Sequence, residues 1–192
     1  MHKYMFNAAV WWLGAISISA LATSGCTPSA NEIMLKAFAE DPVVQVEYQS
    51  DGSRLYKTRN IVLFADYARS QLSSLVMLVA LSGEPAREDS LAGIGGLIKF
   101  RSIDNVPHFE TNRNLIITVR GQQHDLGPCA YHQDTLQKGG KLEDLTVVVP
   151  EELVKTMAMV DTVQGEVGDV PFELTGEQLV PIRALVDTVR VR

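Results

Sequence analysis

"SLVMLVALSG", residues 74–83, is an unbroken apolar run closed at each end by a small polar or flexible residue. It is too short for a buried helix and rich in β-branched and bulky aliphatic side chains. It therefore reads as a strand buried on both faces. The stretches around it have the same character. "NIVLFADY" (60–67) is a second apolar strand. "VVQVEYQ" (43–49) alternates, with Val44, Val46 and Tyr48 on one face, which is the pattern of a half-buried strand. Between them "SDGSR" holds Asp51-Gly52, a strong hairpin signal.

Toward the C-terminus, residues 82–96 form a long polar, glycine-rich connection, of a length usually found in mobile or functional loops. Its "GIGG" (93–96) lacks the spacing and the strand–glycine–helix context of a phosphate loop and reads as a flexible hairpin. "LIKFRSI" (97–103) and "NLIITVRG" (114–121) are strands, the second with Leu115, Ile117 and Val119 inward. A Gly139-Gly140 turn leads to a strand at 143–149. "PEELVKTMAMV" (150–160) begins a helix with Pro150 at its first position and two acids in the first turn, where they complement the dipole. Leu153, Met157 and Val160 mark its inner face. "TVQGEVGDVPFEL" (162–174) gives short strands with glycine turns. In "TGEQLVPIRALVDTVRVR", Thr175 and Gln178 have capping-box spacing. Pro181 means that the helix restarts near Val180 or kinks there. Leu185, Val186 and Val189 face inward. The sum is seven or eight strands joined by hairpin-length connections, with helices late in the chain. This is an α+β chain, mainly antiparallel: a β-sandwich or curled sheet with one or two C-terminal helices.

The 192 residues are 46% hydrophobic and 21% charged, a globular composition. The net charge of −6 and the lack of an arginine-rich stripe argue against a nucleic-acid partner. Ahead of the domain, His2 and Lys3 precede an uncharged stretch, Tyr4 to Gly25, whose most apolar part has the length of a signal peptide. Ala20-Leu21-Ala22 is a small-x-small site that would be cut before Thr23. Thr23-Ser24-Gly25-Cys26 resembles the lipobox of bacterial lipoproteins, and "CTPSANE" resembles the polar tether that follows it. The resemblance departs from the usual pattern only in carrying Thr23 where a leucine-like residue is typical. It divides the chain into a signal peptide (1–25), a tether or short helix (26–41) with Ile33, Met34, Ala37 and Phe38 on one side, and a single exported domain (42–192). It also implies a lipid on Cys26, an acylated amino group there, and attachment to a membrane. Thr27 in place of aspartate implies sorting to the outer membrane. The alternatives are a soluble periplasmic protein and an uncleaved anchor, which the full uncharged run is long enough to allow. From Leu153 to Leu179 the pattern of Leu, Met, Val, Gly, Phe and Thr also resembles the tail of exported bacterial proteins, and that resemblance carries no activity.

One chemical cluster stands out: "HDLGPCAYHQD" (124–134). His124, Cys129 and His132 are soft ligands suited to zinc or copper, but their spacing fits no paired-ligand motif. The plainer reading is a polar hairpin with one buried cysteine and two exposed histidines. If Cys26 is not lipidated, it can pair with Cys129 in a disulfide closing a long loop. Glu110, Asp125 and Asp134 are acids with no partner assigned by spacing. There is no Gly-x-Ser-x-Gly, and no nucleophile has an assigned base. The expectation is an envelope protein that binds a protein, polysaccharide or lipid without catalysis and needs no cofactor. A periplasmic metal-binding protein using Cys129 with His124 and His132 is the second reading, and an enzyme with dispersed residues, such as an envelope hydrolase, is the third.

Overall fold

A computed structural model describes residues 42–50, 52–64, 72, 74–82, 95–136 and 139–190. Its strands are β1 (Val44–Tyr48), β2 (Arg54–Thr58), β3 (Ile61–Phe64), β4 (Leu75–Ser82), β5 (Gly96–Asp104), β6 (Asn114–Val119), β7 (Gln122–Pro128), β8 (Ala130–Thr135) and β9 (Lys141–Val149), then β10 (Thr162–Val167) and β11 (Val170–Thr175). Helix α1 (Glu151–Ala158) lies between β9 and β10. A 3-10 turn (Gly176–Gln178) leads into α2 (Val180–Arg190).

All pairings are antiparallel. The larger sheet runs β1-β2-β4-β5-β9-β8, with β3 also on β4, and the smaller runs β11-β10-β6-β7. The run that opened the sequence reading, now β4, lies inside the large sheet. Its Leu75, Met77, Val79 and Leu81 join Ile98, Phe100, Leu145, Val147 and Val149 on the inner face, all buried. Its other face carries Val76, Leu78 and Ala80, with Val76 and Ala80 also buried. The smaller sheet and both helices pack on the inner face. Leu115, Ile117 and Val119 of β6 point into this core, as their alternation requires.

Three local devices hold the layers. The first is a gap in the ladder. β2 pairs with β4 at Ala80–Ser82 and β3 pairs with it at Leu75–Met77, so neither strand serves the Val79 N–H. The buried Thr58 hydroxyl accepts that proton at 3.0 Å. The second is a close approach. A Cβ on Gly165 would lie 2.3 Å from the Phe172 ring, so only glycine lets Phe172 lie across β10. From there it meets Phe100 of the opposite sheet, with ring centroids 5.5 Å apart. The third is a shared helix end. The Arg183 guanidinium of α2 donates to the Ala158 carbonyl at 3.2 Å and the Val160 carbonyl at 2.8 Å, serving the orphan carbonyls at the end of α1.

Several sequence expectations change in detail. Residues 124–134 are not a hairpin. β7 belongs to the small sheet and β8 to the large one, and the chain crosses between them at Cys129. Gly127-Pro128 is the approach to a corner, not a reversal. Gly95 is held by packing, because a Cβ there would lie 2.4 Å from the Glu151 Cβ of α1. Pro150 is the N-cap rather than the first helical residue, and Val154, not Val160, completes the buried face of α1 with Leu153 and Met157. Val46 and Tyr48 are exposed because β1 is an edge strand whose far half runs past the core. Helix α2 does restart at Val180, with Pro181 in its first turn, where its missing N–H is harmless. Gln178 accepts the Thr175 N–H at 3.2 Å, as capping-box spacing requires. The long 82–96 connection lies mostly outside the described residues.

Replacing Thr58 by Val keeps the shape but leaves the Val79 N–H buried and unpaired. Urea unfolding is expected to show a loss of about 1–3 kcal/mol. Thr58→Ser, which keeps the oxygen, is expected to retain most of that.

Candidate functional site

In β9 the inward parity is Glu143, Leu145, Val147, Val149. The first of these is a carboxylate with no solvent exposure. A buried charge survives only if donors replace its water. Glu143 Oε2 accepts the His108 backbone N–H at 2.8 Å, and Oε1 accepts the Phe109 N–H at 3.0 Å. The Tyr131 hydroxyl of β8 lies 2.9 Å from Oε1 and 2.7 Å from Gln133 Oε1. A phenol has one proton. It goes to the carboxylate, and the Gln133 amide, turned to present its N–H, donates to the phenol oxygen.

The donors come from the 105–113 segment, which carries the chain from β5 of the large sheet to β6 of the small one. Its other contacts hold it from both sides. The His108 ring Nε2 lies 3.0 Å from Asp104 Oδ2. Phe109 is fully buried. Asn112 donates to Asp169 at 2.8 Å in the β10–β11 turn. The Arg113 carbonyl accepts the Cys129 N–H at 2.9 Å, and the Arg113 guanidinium sits 5.5 Å from the Tyr131 ring centre. Ser102, opposite Glu143 in the ladder, is fully buried, and its hydroxyl has no partner among the described residues.

Burial, then the neighbouring Glu143 carboxylate, pushes the Tyr131 hydroxyl up to about 12. Burial pushes the Cys129 thiol up to about 11, against a smaller opposing pull from Arg113. On the opposite face of β9, Asp144 takes two hydrogen bonds from Arg101 (2.8 and 2.9 Å) and one contact from Lys99 at 2.8 Å. Burial raises its pKa, but Arg101 and Lys99 outweigh that and leave it lowered. The Glu143 arrangement suits a fixed carboxylate that positions backbone. Most of its lone pairs are taken by donors, which leaves little capacity for proton transfer to a substrate.

The residues singled out from sequence are dispersed. His124 sits in β7 of the small sheet opposite Ile117. His132 is exposed on the outer face of the large sheet, 3.2 Å from Asp134. Cys129 is buried at the corner between them with a free thiol. Among the described residues no three His, Cys, Asp or Glu side chains group as a metal site. Asp125 accepts the Gly127 N–H at 2.9 Å and shapes the approach to the corner. Glu110 is exposed. Cys26 lies outside the described residues. Glu143, Tyr131 and His108 were missed, although a glutamate on the apolar parity of β9 was a usable signal. No protein family, characterised protein or solved structure matches the chain.

Two outcomes are expected. Glu143→Ala strands two backbone donors and a phenol, and chemical denaturation should show a loss of about 3–5 kcal/mol. In alkali the sign follows from Tyr131. Its folded pKa lies above the value near 10 of an unfolded tyrosine, so its contribution is complete below about pH 10 and is lost as pH rises toward 12. Tyr131→Phe should be less stable at neutral pH and should lose less stability between pH 10 and 12.

Proposed function

We propose that this chain is an exported, lipid-anchored protein of the bacterial envelope whose β-rich domain binds a partner without catalysis. One observation carries the reading: Thr23-Ser24-Gly25-Cys26 closes an uncharged, signal-like stretch and is followed by a polar tether. Residues 27–43 then separate Cys26 from the first strand, enough for about 55–60 Å of extended chain between a membrane surface and the domain. The wider setting on this reading is the outer membrane, and the partner is an envelope protein, a polysaccharide or a lipid.

The chemistry of the domain supports a binding role. Its fully buried carboxylate is engaged with backbone donors, and the Cys129 thiol is buried and held protonated well above neutral pH.

The test is the intact mass of the protein recovered from bacterial membranes, beside a Cys26→Ser control. The expected result is a chain running from Cys26 to Arg192 plus acyl chains, with the acyl mass absent from the control. A chain beginning at Thr23 without lipid would overturn the anchor.

A further inference from the structure

β8 is the last strand of the large sheet on its side. The Leu136 N–H donates to the Gly140 carbonyl at 2.7 Å, closing the β8–β9 hairpin. The even-numbered residues of β8 therefore turn their backbone groups toward β9, and Tyr131, Gln133 and Thr135 turn theirs outward. Among the described residues no strand or loop pairs with those outward groups. The other three sheet edges differ. The pairing of β7 with β6 shifts register and β7 ends at Pro128, while β11 carries Pro171, and both devices discourage a further strand. β1 (VQVEY) has neither device but holds a single charge. β8 (AYHQDT) has no proline and no register shift, and it presents His132 and Asp134 together on the outer face, both exposed. Across the ladder His132 faces Asp144, which Arg101 and Lys99 already hold, and Asp134 faces Leu142.

We propose that the β8 edge is a homodimer interface: β8 of a second copy adds antiparallel to it, and the two large sheets become one. The strand is complementary to itself about Gln133. With a twofold axis there, Tyr131 of each copy meets Thr135 of the other, and the two Gln133 residues meet each other. These are the outward-facing positions, so each pair exchanges both backbone hydrogen bonds. On the outer face His132 then stands opposite Asp134 at two symmetric places, with Cβ atoms about 4.5–5.5 Å apart. An imidazole N–H donates to a carboxylate in either charge state of the ring. The exposed Leu136 comes opposite Ala130 at both ends. Neighbouring registers that keep the backbone parity are poorer. Centring on His132 sets the two imidazoles together and leaves Asp134 against Ala130. Centring on Asp134 sets two carboxylates together. The order of imidazole and acid along β8 thus selects one register. The interface goes beyond the envelope reading and does not depend on a lipid at Cys26.

The test uses the full chain with Cys26→Ser, so that Cys129 is the only native thiol left, and it is buried. His132→Cys and Asp134→Cys are oxidised with diamide, each alone and as an equal mixture. In the proposed register a mixed dimer sets the two new thiols opposite each other and keeps one His132–Asp134 pair. In a dimer of either variant with itself the new thiols lie on a diagonal, about 7–8 Å apart, too far for a disulfide. The mixture is expected to form disulfide dimers at least about tenfold faster than either variant alone, as a held pair has the higher effective concentration. Adding Asp134→Lys to the His132→Cys chain removes the remaining acid and should slow the mixture about two- to fivefold. No cross-link in the mixture, or one variant alone matching the mixture's rate, would overturn the proposal. A Val46→Cys chain that cross-links to itself faster than the mixture would overturn it in favour of the β1 edge.

Discussion

A carboxylate taken fully out of water must be met by donors, and the position of Glu143 makes that requirement organise the fold. The chain passes between the two sheets three times, at the 105–113 segment, at Cys129 and through α1 between β9 and β10. The first two crossings end on the same small group of residues. Glu143 holds the backbone of His108 and Phe109 in the first crossing. Tyr131, two residues beyond the second, shares the carboxylate. Arg113 closes the circuit, with its carbonyl on the Cys129 N–H and its guanidinium beside the Tyr131 ring. The apolar core supplies most of the stabilisation, but it is not directional. The buried carboxylate gives the first crossing its direction through the His108 and Phe109 N–H groups it accepts.

The remaining layers follow from similar local accounting. Phe172 reaches Phe100 because Gly165 leaves room beneath it. The two helices stay together partly because Arg183 of one serves the carbonyls that end the other. Thr58 mends the one place where β4 changes partner. Leu55, Leu97 and Val148 lie on the other face of the large sheet, opposite the parity that meets the small sheet.

Much of this fold was legible in residue order. The run 75–81 reads as a strand buried on both faces, and the alternation of Leu115, Ile117 and Val119 gave both the strand and its inward side. Pro181 and the Thr175–Gln178 spacing located the break before α2. The corner at Cys129 was hidden, since a glycine-proline pair beside two alternating strands is the local signature of a hairpin. Only the pairing of β7 back onto β6 and of β8 forward onto β9, each across its own hairpin turn, distinguishes the two. The cluster that drew attention, His124, Cys129 and His132, is near in sequence and divided by that same corner. The Glu143 group is the reverse case. Its members come from β8, β9 and the 105–113 segment, and only the parity of Glu143 with Leu145 and Val147 marks it in sequence.

The central claim is that Glu143 fixes the inter-sheet crossing. Amide hydrogen exchange at His108 and Phe109, compared between the native chain and Glu143→Gln under native conditions, tests it most directly. The account predicts that in the native chain both amides exchange only through global unfolding. In the variant they should open locally, at least about a hundredfold faster, while the amides of Phe100 and Leu145 keep the protection set by global stability. If His108 and Phe109 stay as protected as Phe100 in the variant, the crossing is held by packing alone and the carboxylate is not its cause.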